Sequence, residues 1–555
     1  MPARDPIALL STHEVTNQPP PFADYNLYHS DPALKEALHR EGGAGAEKDV
    51  AAFGAALGTE NSFELGRLAN KFSPELKIFD RYGQRIDEVE FHPAYHELMA
   101  LAIEHRVPSV AWTAKEGGHV LHAALEYMMI QVEAGVCCPM AMTYAVIPAL
   151  RAQPEIAAAW EPKILSRAYD PRCIPASEKA GVTIGMAMTE KQGGSDVRTN
   201  TTRAEALNGG GPGGEYALTG HKWFCSAPMC DAFLTLAYTD AGLSCFFVPR
   251  WKPDGTRNPF YIQRLKDKLG NRSNASSEIE YHDTWAQMIG EEGAGVGTIL
   301  EMVQHTRLDA MLAPAGMMRQ ATVQALHHTS HRTAFQRLLS QQPLMRNVLA
   351  DLAVEGEAAT ALAMRVARAF DGSSGDESER QFARIGVAVG KFWLNKRITS
   401  HINEAMECLG GAGYVEESIL PRLYREAPVN GIWEGSGNVI CLDILRAMQR
   451  EPESIGIFLD ELETARSADI RLDRAIDALK DDLADPSELE LRARRITESM
   501  ALALQGSLLV RHAPAAVADA FCASRLAGDW HHSYGTLPVG TAFDKITERS
   551  RIDTH

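Results

Sequence analysis

A single carboxylate stands in a short apolar strip near residue 434, in the run Ile432, Trp433, Glu434, Gly435, Ser436, Gly437, Asn438. A Glu between a bulky apolar pair and two glycines has the makings of a proton acceptor, because burial lifts a carboxyl group toward neutrality. Four further segments gather glycines, hydroxyls and aromatics: MTEKQGGSDV (188–197), HKWFCS (221–226), KLGNRSNASSE (268–278) and ECLGGAGY (407–414). Small and hydroxyl side chains at Thr189 and Ser226 let main-chain amides approach a ring edge. Gly193 and Gly194 before Ser195 permit close approach to a pyrophosphate, and Trp223 offers a flat apolar wall. Read alone, the same residues also fit a surface turn at Glu434, a tight Gly-Gly turn and a core tryptophan. His327, His328 and His331, and His92 with His96, have metal-like spacing, but no Cys or carboxylate completes a set. They read as solvated, His-rich helix faces, and no metal is expected.

These segments are carried by four compositional blocks. Residues 1–180 read as a helical domain after a loose, Pro-rich start. Residues 181–288 change to short β-rich runs, such as Phe233–Ala237, Leu243–Val248 and Glu278–Tyr281, separated by turn-formers. The Gly209–Gly214 run reads as a hairpin tip, since a strand signature follows it rather than a helix. Residues 289–450 return to helix, with Ile299, Val303, Leu308, Met311 and Leu312, then Leu344, Val348, Leu349 and Leu352, at helical spacing. Residues 451–555 form a further helical block, in which Asp485-Pro486-Ser487-Glu488 reads as a helix start. The class is therefore mainly α with a central antiparallel β-barrel. The order helix, barrel, helix is not an alternating βα pattern, and no strand-anchored GxGxxG occurs, so a Rossmann site is not expected.

Composition narrows the field. The chain has 555 residues, 45% of them hydrophobic, which suits a globular protein and not a disordered one. Its formal net charge of −17 argues against a surface that binds nucleic acid throughout. Nine cysteines without a CxxC pair read as reduced core thiols, including the adjacent Cys137 and Cys138. The apolar run Ile7–Leu10 is too short for a signal peptide, and no 18-residue apolar stretch occurs. No membrane association and a cytoplasmic location are expected.

In order and spacing, the five segments, with Tyr424-Arg425-Glu426 before the last, resemble the acyl-CoA dehydrogenase superfamily over roughly residues 95–450. The wording MTEKQGGSDVRTNTTRA and RLKDKLGNRSNAS, the Trp433 variant and the extra C-terminal block are similar to its alkylation-response branch. The resemblance implies an acyl-CoA dehydrogenase-like fold with a C-terminal helical extension, FAD and a homotetramer. It implies flavin contacts from Met188, Thr189, Gly194, Ser195, Trp223, Phe224, Ser226, Trp433, Ser436 and Asn438. A flavin gains negative charge on reduction, so hydroxyl and amide donors suit it. The resemblance also implies that Arg332, Phe335, Gln342, Glu407, Gly410 and Gly411 hold the adenosine end of a neighbouring subunit's FAD. The family's Gly and Pro near Phe335 are Gln336 and Leu338 here. Glu434 takes the place of the base that removes the α-proton of an acyl-CoA. The alternative base position, around Thr306-Arg307-Leu308-Asp309, has no Glu beside the Arg. Trp433 replaces a Tyr and Ser436 a Thr, and the bulkier ring narrows a substrate channel.

The branch further implies double-stranded DNA binding through the C-terminal block, protection or repair of alkylated DNA, and weak dehydrogenation of an isovaleryl-type acyl-CoA. The alternative is a catabolic short or branched-chain acyl-CoA dehydrogenase with no DNA role. Residues 451–555 hold 12 Lys and Arg against 19 Asp and Glu, a net of −7. DNA contact would therefore need a focused patch, for which Arg446, Arg492, Arg494 and Arg495 are the candidates.

Overall fold

The computed structural model describes residues 12–552. The run Ile7–Leu10 lies outside the described residues. The first block folds as α1 (Pro32–Arg40), α2 (Glu47–Leu57), α3 (Glu60–Lys71), a hairpin of β1 (Glu75–Phe79) and β2 (Arg85–Glu90), then α4 (Pro93–Glu104), α5 (Val110–Thr113), α6 (Gly118–Val132), α7 (Cys137–Arg151) and α8 (Pro154–Ile164). The hairpin corrects the all-helical expectation. Its strands alternate along Leu76, Ile78 and Val89 but carry many charges and lie half in solvent.

The middle block holds β3 (Ile184–Ala187), β4 (Arg203–Ala206), β5 (Glu215–Ser226), β6 (Ala232–Thr239), β7 (Gly242–Pro249), β8 (Phe260–Leu265) and β9 (Ser276–Ile289). Strands β6, β4, β5, β9 and β7 pair in that order and β7 returns to β6, closing a barrel. Most pairings are antiparallel, as expected, but β3 joins β6 in parallel. Gly209–Gly214 is the tip between β4 and β5, with positive φ at Gly209, Gly210, Gly211 and Gly213. Phe233, Phe246, Phe247 and Tyr281 fill a core shared with α7.

The third block is built on α9 (Gly295–His331), α10 (Pro343–Gly372) and α11 (Glu377–Leu409), followed by α12 (Gly411–Tyr414), α13 (Leu420–Asn430) and α14 (Gly437–Arg450). Ile299, Val303, Leu308, Met311 and Leu312 are buried as their spacing predicts, and so are Leu349 and Leu352. Leu344 is instead exposed in the first turn of α10. One hydrophobic core runs from α1 through α6 into α9, α10 and α11. The short strands β10 (Thr333–Ala334) and β11 (Arg337–Leu338) form a hairpin after α9.

The last block comprises α15 (Glu453–Glu463), α16 (Ile470–Ala484), α17 (Leu489–His512), α18 (Ala515–Phe521) and α19 (Phe543–Ser550). The expected helix start at Asp485 is corrected. Asp485 accepts from the Ser487 amide and hydroxyl, a local turn that competes with capping. Glu488 then takes a positive φ, and α17 begins at Leu489. A π turn over Cys522–Leu526 aims Arg525 into the body, where it bonds Asp351 and Glu355 of α10. Arg397 of α11 also bonds Glu355. Burial alone would raise Glu355, but these two guanidiniums outweigh it and hold its carboxyl at about 2.

The histidine readings change in part. His327 and His328 are buried rather than solvated, and His327 bonds the Pro20 carbonyl and stacks on Phe22. His92 caps α4, and His96 bonds the Tyr169 hydroxyl. Eight of the nine cysteines are buried, Cys173 being the exposed one. No helix among the described residues is long and apolar enough to cross a membrane.

Candidate active site

Glu434 lies in the turn between α13 and α14. It takes a positive φ of 55°, and Gly435 after it one of 104°. A non-glycine residue pays for that conformation in strain, and such positions concentrate at functional sites. Two buried cations hold the turn by its main chain. Arg307 Nε of α9 donates to the Glu434 carbonyl at 3.1 Å. Lys391 Nζ of α11 donates to the Gly435 carbonyl at 2.8 Å and to that of Asn430 at 3.2 Å. Arg307 is matched in turn by Asp443 of α14 at 2.8 Å, which also takes Arg384. The Glu434 carboxylate keeps one oxygen, Oε2, occluded and without a hydrogen-bond partner. Burial pushes this carboxyl up, against Thr306, Lys391 and Arg307, which act to lower it.

The barrel meets this turn. Trp433 packs against the barrel core and donates its indole N–H to Asn430 at 3.0 Å. Cys138 of α7 lies among Ser226, Asn274 and Glu434, and burial pushes its thiol up to about 12. Ser226 at the end of β5 bonds this thiol, and the charges of Lys268 and Glu434 both act on it. The joint is fastened by Glu426 of α13, whose carboxylate accepts from the Asn271 amide at 2.5 Å and side chain at 2.7 Å. Burial pushes Glu426 up to about 7. Gly270 is pressed against this joint: a Cβ there would lie 2.2 Å from the Arg425 carbonyl oxygen. Gly270→Ala is expected to destabilise the fold by about 1–3 kcal/mol through overpacking, read from the urea midpoint at constant slope. An unchanged midpoint would mean the joint yields freely.

The 188–201 segment is organised by Glu190. Its carboxylate accepts from the amides and hydroxyls of Thr201 and Thr202 and from Lys222, which is fully buried. Burial would raise Glu190, but Lys222 and these donors bring it down to about 2. This cluster presents Met188 and Thr189, both half-buried, beside β5, where the Trp223 amide donates to the Thr189 carbonyl at 2.8 Å. Gly194 and Ser195 are exposed, and a Cβ at Gly194 would lie 3.2 Å from the Thr189 side chain. Trp223 is not a bare wall. Lys266 Nζ sits 3.2 Å from its ring centre, with Lys191 at 5.4 Å and Arg264 at 5.7 Å. Phe224, 48% exposed, is the freer ring.

Ser436 caps α14 without a side-chain bond, so its hydroxyl does not occupy the amides of the first turn. A Cβ at Gly437 would lie 3.1 Å from Lys396 Nζ, and Arg494 of α17 approaches Asn438 Oδ1 at 3.4 Å. A helix N-terminus flanked by two cations suits phosphate oxygens. Hydroxyls at Thr189 and Ser226, a freely approachable Gly194 and this cationic helix start make a donor set that fits a flavin dinucleotide.

The other expected cofactor residues lie on exposed surfaces. Phe335, 94% exposed, and Gln336 form the tip of the β10–β11 hairpin, both with positive φ. The chain therefore makes a two-residue turn without the family's glycine. Arg332 donates to the Asn17 carbonyl and Gln342 to that of Ala334. Glu407 accepts from Asn403, and a Cβ at Gly410 or Gly411 would meet nothing within 4 Å. The candidate DNA arginines are largely engaged. Arg492 donates to the carbonyls of Asp482, Asp485 and Ser487. Arg495 pairs with Asp482 and Arg446 with Asp443. Sequence reasoning missed Arg307 as a clamp, Lys391 and Glu426. The one legible signal was Lys391 itself, a charge inside the apolar run Ile385–Leu394.

Comparison with known proteins shows the family of the chain. Residues 185–284 match the acyl-CoA dehydrogenase middle domain and 293–449 its C-terminal domain, so the chain belongs to the acyl-CoA dehydrogenase family, whose members bind FAD. Residues 17–171 match the N-terminal domain of the adaptive response protein AidB. The chain is 48% identical to AidB of Escherichia coli (strain K12) over 515 residues, covering 92% of this chain and 94% of that one. It superposes on ACDH-11 of Caenorhabditis elegans, solved in complex with C11-CoA, with a TM-score of 0.83 at 27% identity, covering 97% of each chain. An acyl-CoA dehydrogenase of Bacillus anthracis, solved with FAD, shares the fold at 17% identity and a TM-score of 0.62, over 79% of this chain and 78% of that one.

Proposed function

We propose that this chain is a flavin-dependent oxidoreductase that dehydrogenates a short or branched acyl-CoA, with Glu434 as base. The observation that carries the reading is the occluded, unpartnered Glu434 carboxylate oxygen on a strained turn. Bound FAD supplies the acceptor for the hydride that leaves the β-carbon. Glu434 takes the α-proton onto its carboxylate, and its raised affinity for a proton makes that transfer less uphill. Arg307 and Lys391 hold the turn by its main chain, which aims the carboxylate, and Oε2 is left without a partner. Trp433, tied to Asn430, narrows the approach and favours compact acyl groups.

Thr189, Gly194, Ser195, Phe224, Ser226, Ser436 and Asn438 would hold the flavin and pyrophosphate. Arg332, Phe335, Gln342, Glu407, Gly410 and Gly411 would serve the adenosine end in a homotetramer. The bare Phe335 tip and the open Gly410–Gly411 surface favour that arrangement. Anaerobic addition of isovaleryl-CoA to the purified yellow protein tests the reading. Bleaching of the visible flavin absorption is expected. A yellow protein that no short or branched acyl-CoA bleaches would remove the activity.

A second reading is double-stranded DNA binding in an adaptive response to alkylation. It is favoured by the AidB relatives and by Arg446 and Arg495, whose side chains are 58% and 72% exposed despite their acidic neighbours. A mobility-shift series in rising salt should show retardation that fades steeply. No retarded duplex at the lowest salt ends this reading.

A further inference from the structure

Two buried cations, Arg307 and Lys391, hold the Glu434 turn, and the acids around them can be assigned. Arg307 and Arg384 share Asp443, each at 2.8 Å. Asp309, three residues after Thr306, is taken by His122 at 2.7 Å. Lys391 is 1% exposed, and both of its hydrogen bonds go to main-chain carbonyls rather than to a carboxylate. A buried ammonium without a counter-charge is costly. The acidic group that acts on it is Glu434, whose own Oε2 is occluded and unpartnered.

Resting on the reading of Glu434 as base, we infer that Lys391 is its positioning residue and charge partner: one ammonium both pins the strained turn and keeps the dry carboxylate ionised for proton abstraction. The groups facing the pair are few. Glu434 sees Thr306, Arg307 and Asp309 of α9, Lys391 of α11 and Cys138 of α7. Lys391 sees Glu434, Arg307 and Lys396. Burial lowers Lys391 to about 7, opposed by Glu434, while burial raises Glu434, opposed by Lys391. Burial therefore displaces the two groups toward one another, and the attraction between them limits each displacement.

The test uses the FAD-loaded protein and does not need turnover. Isotope-edited infrared titration follows the Glu434 carboxylate band, identified by its loss in Glu434→Gln. In Lys391→Met the midpoint is expected to rise by about 1–3 pH units, and Lys391→Arg, which keeps a charge, should restore most of the shift. A midpoint unmoved in a Lys391→Met protein that retains flavin and circular dichroism would overturn the pairing. Should Lys391→Met not fold, Glu434→Gln carries the reciprocal measurement. Coupling free energy is symmetric, so the Lys391 midpoint, read by carbon-13 lysine resonance, must fall by a like amount. An unmoved Lys391 midpoint would overturn the inference equally. The base assignment is judged separately: full flavin reduction by isovaleryl-CoA in Glu434→Gln removes the base and leaves the coupling result standing.

Discussion

Glu434→Gln is expected to slow flavin reduction by isovaleryl-CoA by about 10²–10⁴-fold, the usual contribution of a positioned general base. The amide matches the carboxylate in size and keeps the Glu434 and Gly435 carbonyls for Arg307 and Lys391. The turn should therefore hold its shape, and binding of acyl-CoA should change little. The effect falls on the rate of reduction at saturating substrate rather than on affinity. The wild-type reaction should rise with pH through the elevated Glu434 pKa, because the base must be ionised. Stopped-flow reduction across pH would show this rise in the wild type and a flat, slow profile in the variant. A variant as fast as wild type would place the base elsewhere.

The second large effect concerns the C-terminal block. Arg525 is fully buried and joins Asp351 and Glu355, while Arg397 joins Glu355 from α11 and lies over the rings of Trp530 and Tyr534. Arg525→Met leaves two buried carboxylates short of one cation, which costs about 3–5 kcal/mol. The loss should appear as early release of α18 and α19, seen as new proteolytic cuts after residue 512, while flavin binding persists. Acid should act on the same joint. The folded Glu355 titrates near 2, below its unfolded value near 4.5. The stability it contributes is present above the unfolded value and is lost as pH falls toward 2. In Arg525→Met the folded value moves up toward the unfolded one, so the acid-dependent loss should be smaller and complete at higher pH. Identical acid profiles would separate Arg525 from the stability of the block.

Much of this arrangement was legible in the residues. The barrel announced itself by β-rich runs between Gly and Pro turns, and α9 by apolar spacing. Glu434 stood out through the family resemblance, since its apolar strip read alone also fits a surface turn. What stayed hidden were pairings distant in sequence: Asn271 with Glu426, Arg307 with the Glu434 carbonyl, Lys391 with the Gly435 carbonyl. Such bonds leave no periodic trace. The β1–β2 hairpin escaped because its alternation is diluted by Glu, Lys, Arg and Asp, and the α17 start because Asp485 serves its own turn. Trp223 was legible as an aromatic near the flavin loop, but its three covering cations arrive from other segments.

The inward commitment of the C-terminal arginines has one more consequence. Arg471, Arg492, Arg511, Arg525 and Arg549 all bond acids or carbonyls of their own chain. The block's carboxylates outnumber its cations by seven, so its outward field is that of an acid. Two such faces push one another away, over a reach of about 10 Å at 0.1 M salt. Neighbouring copies would then approach through the other blocks, with the extensions acting as electrostatic bumpers whose stiffness is set by ionic strength.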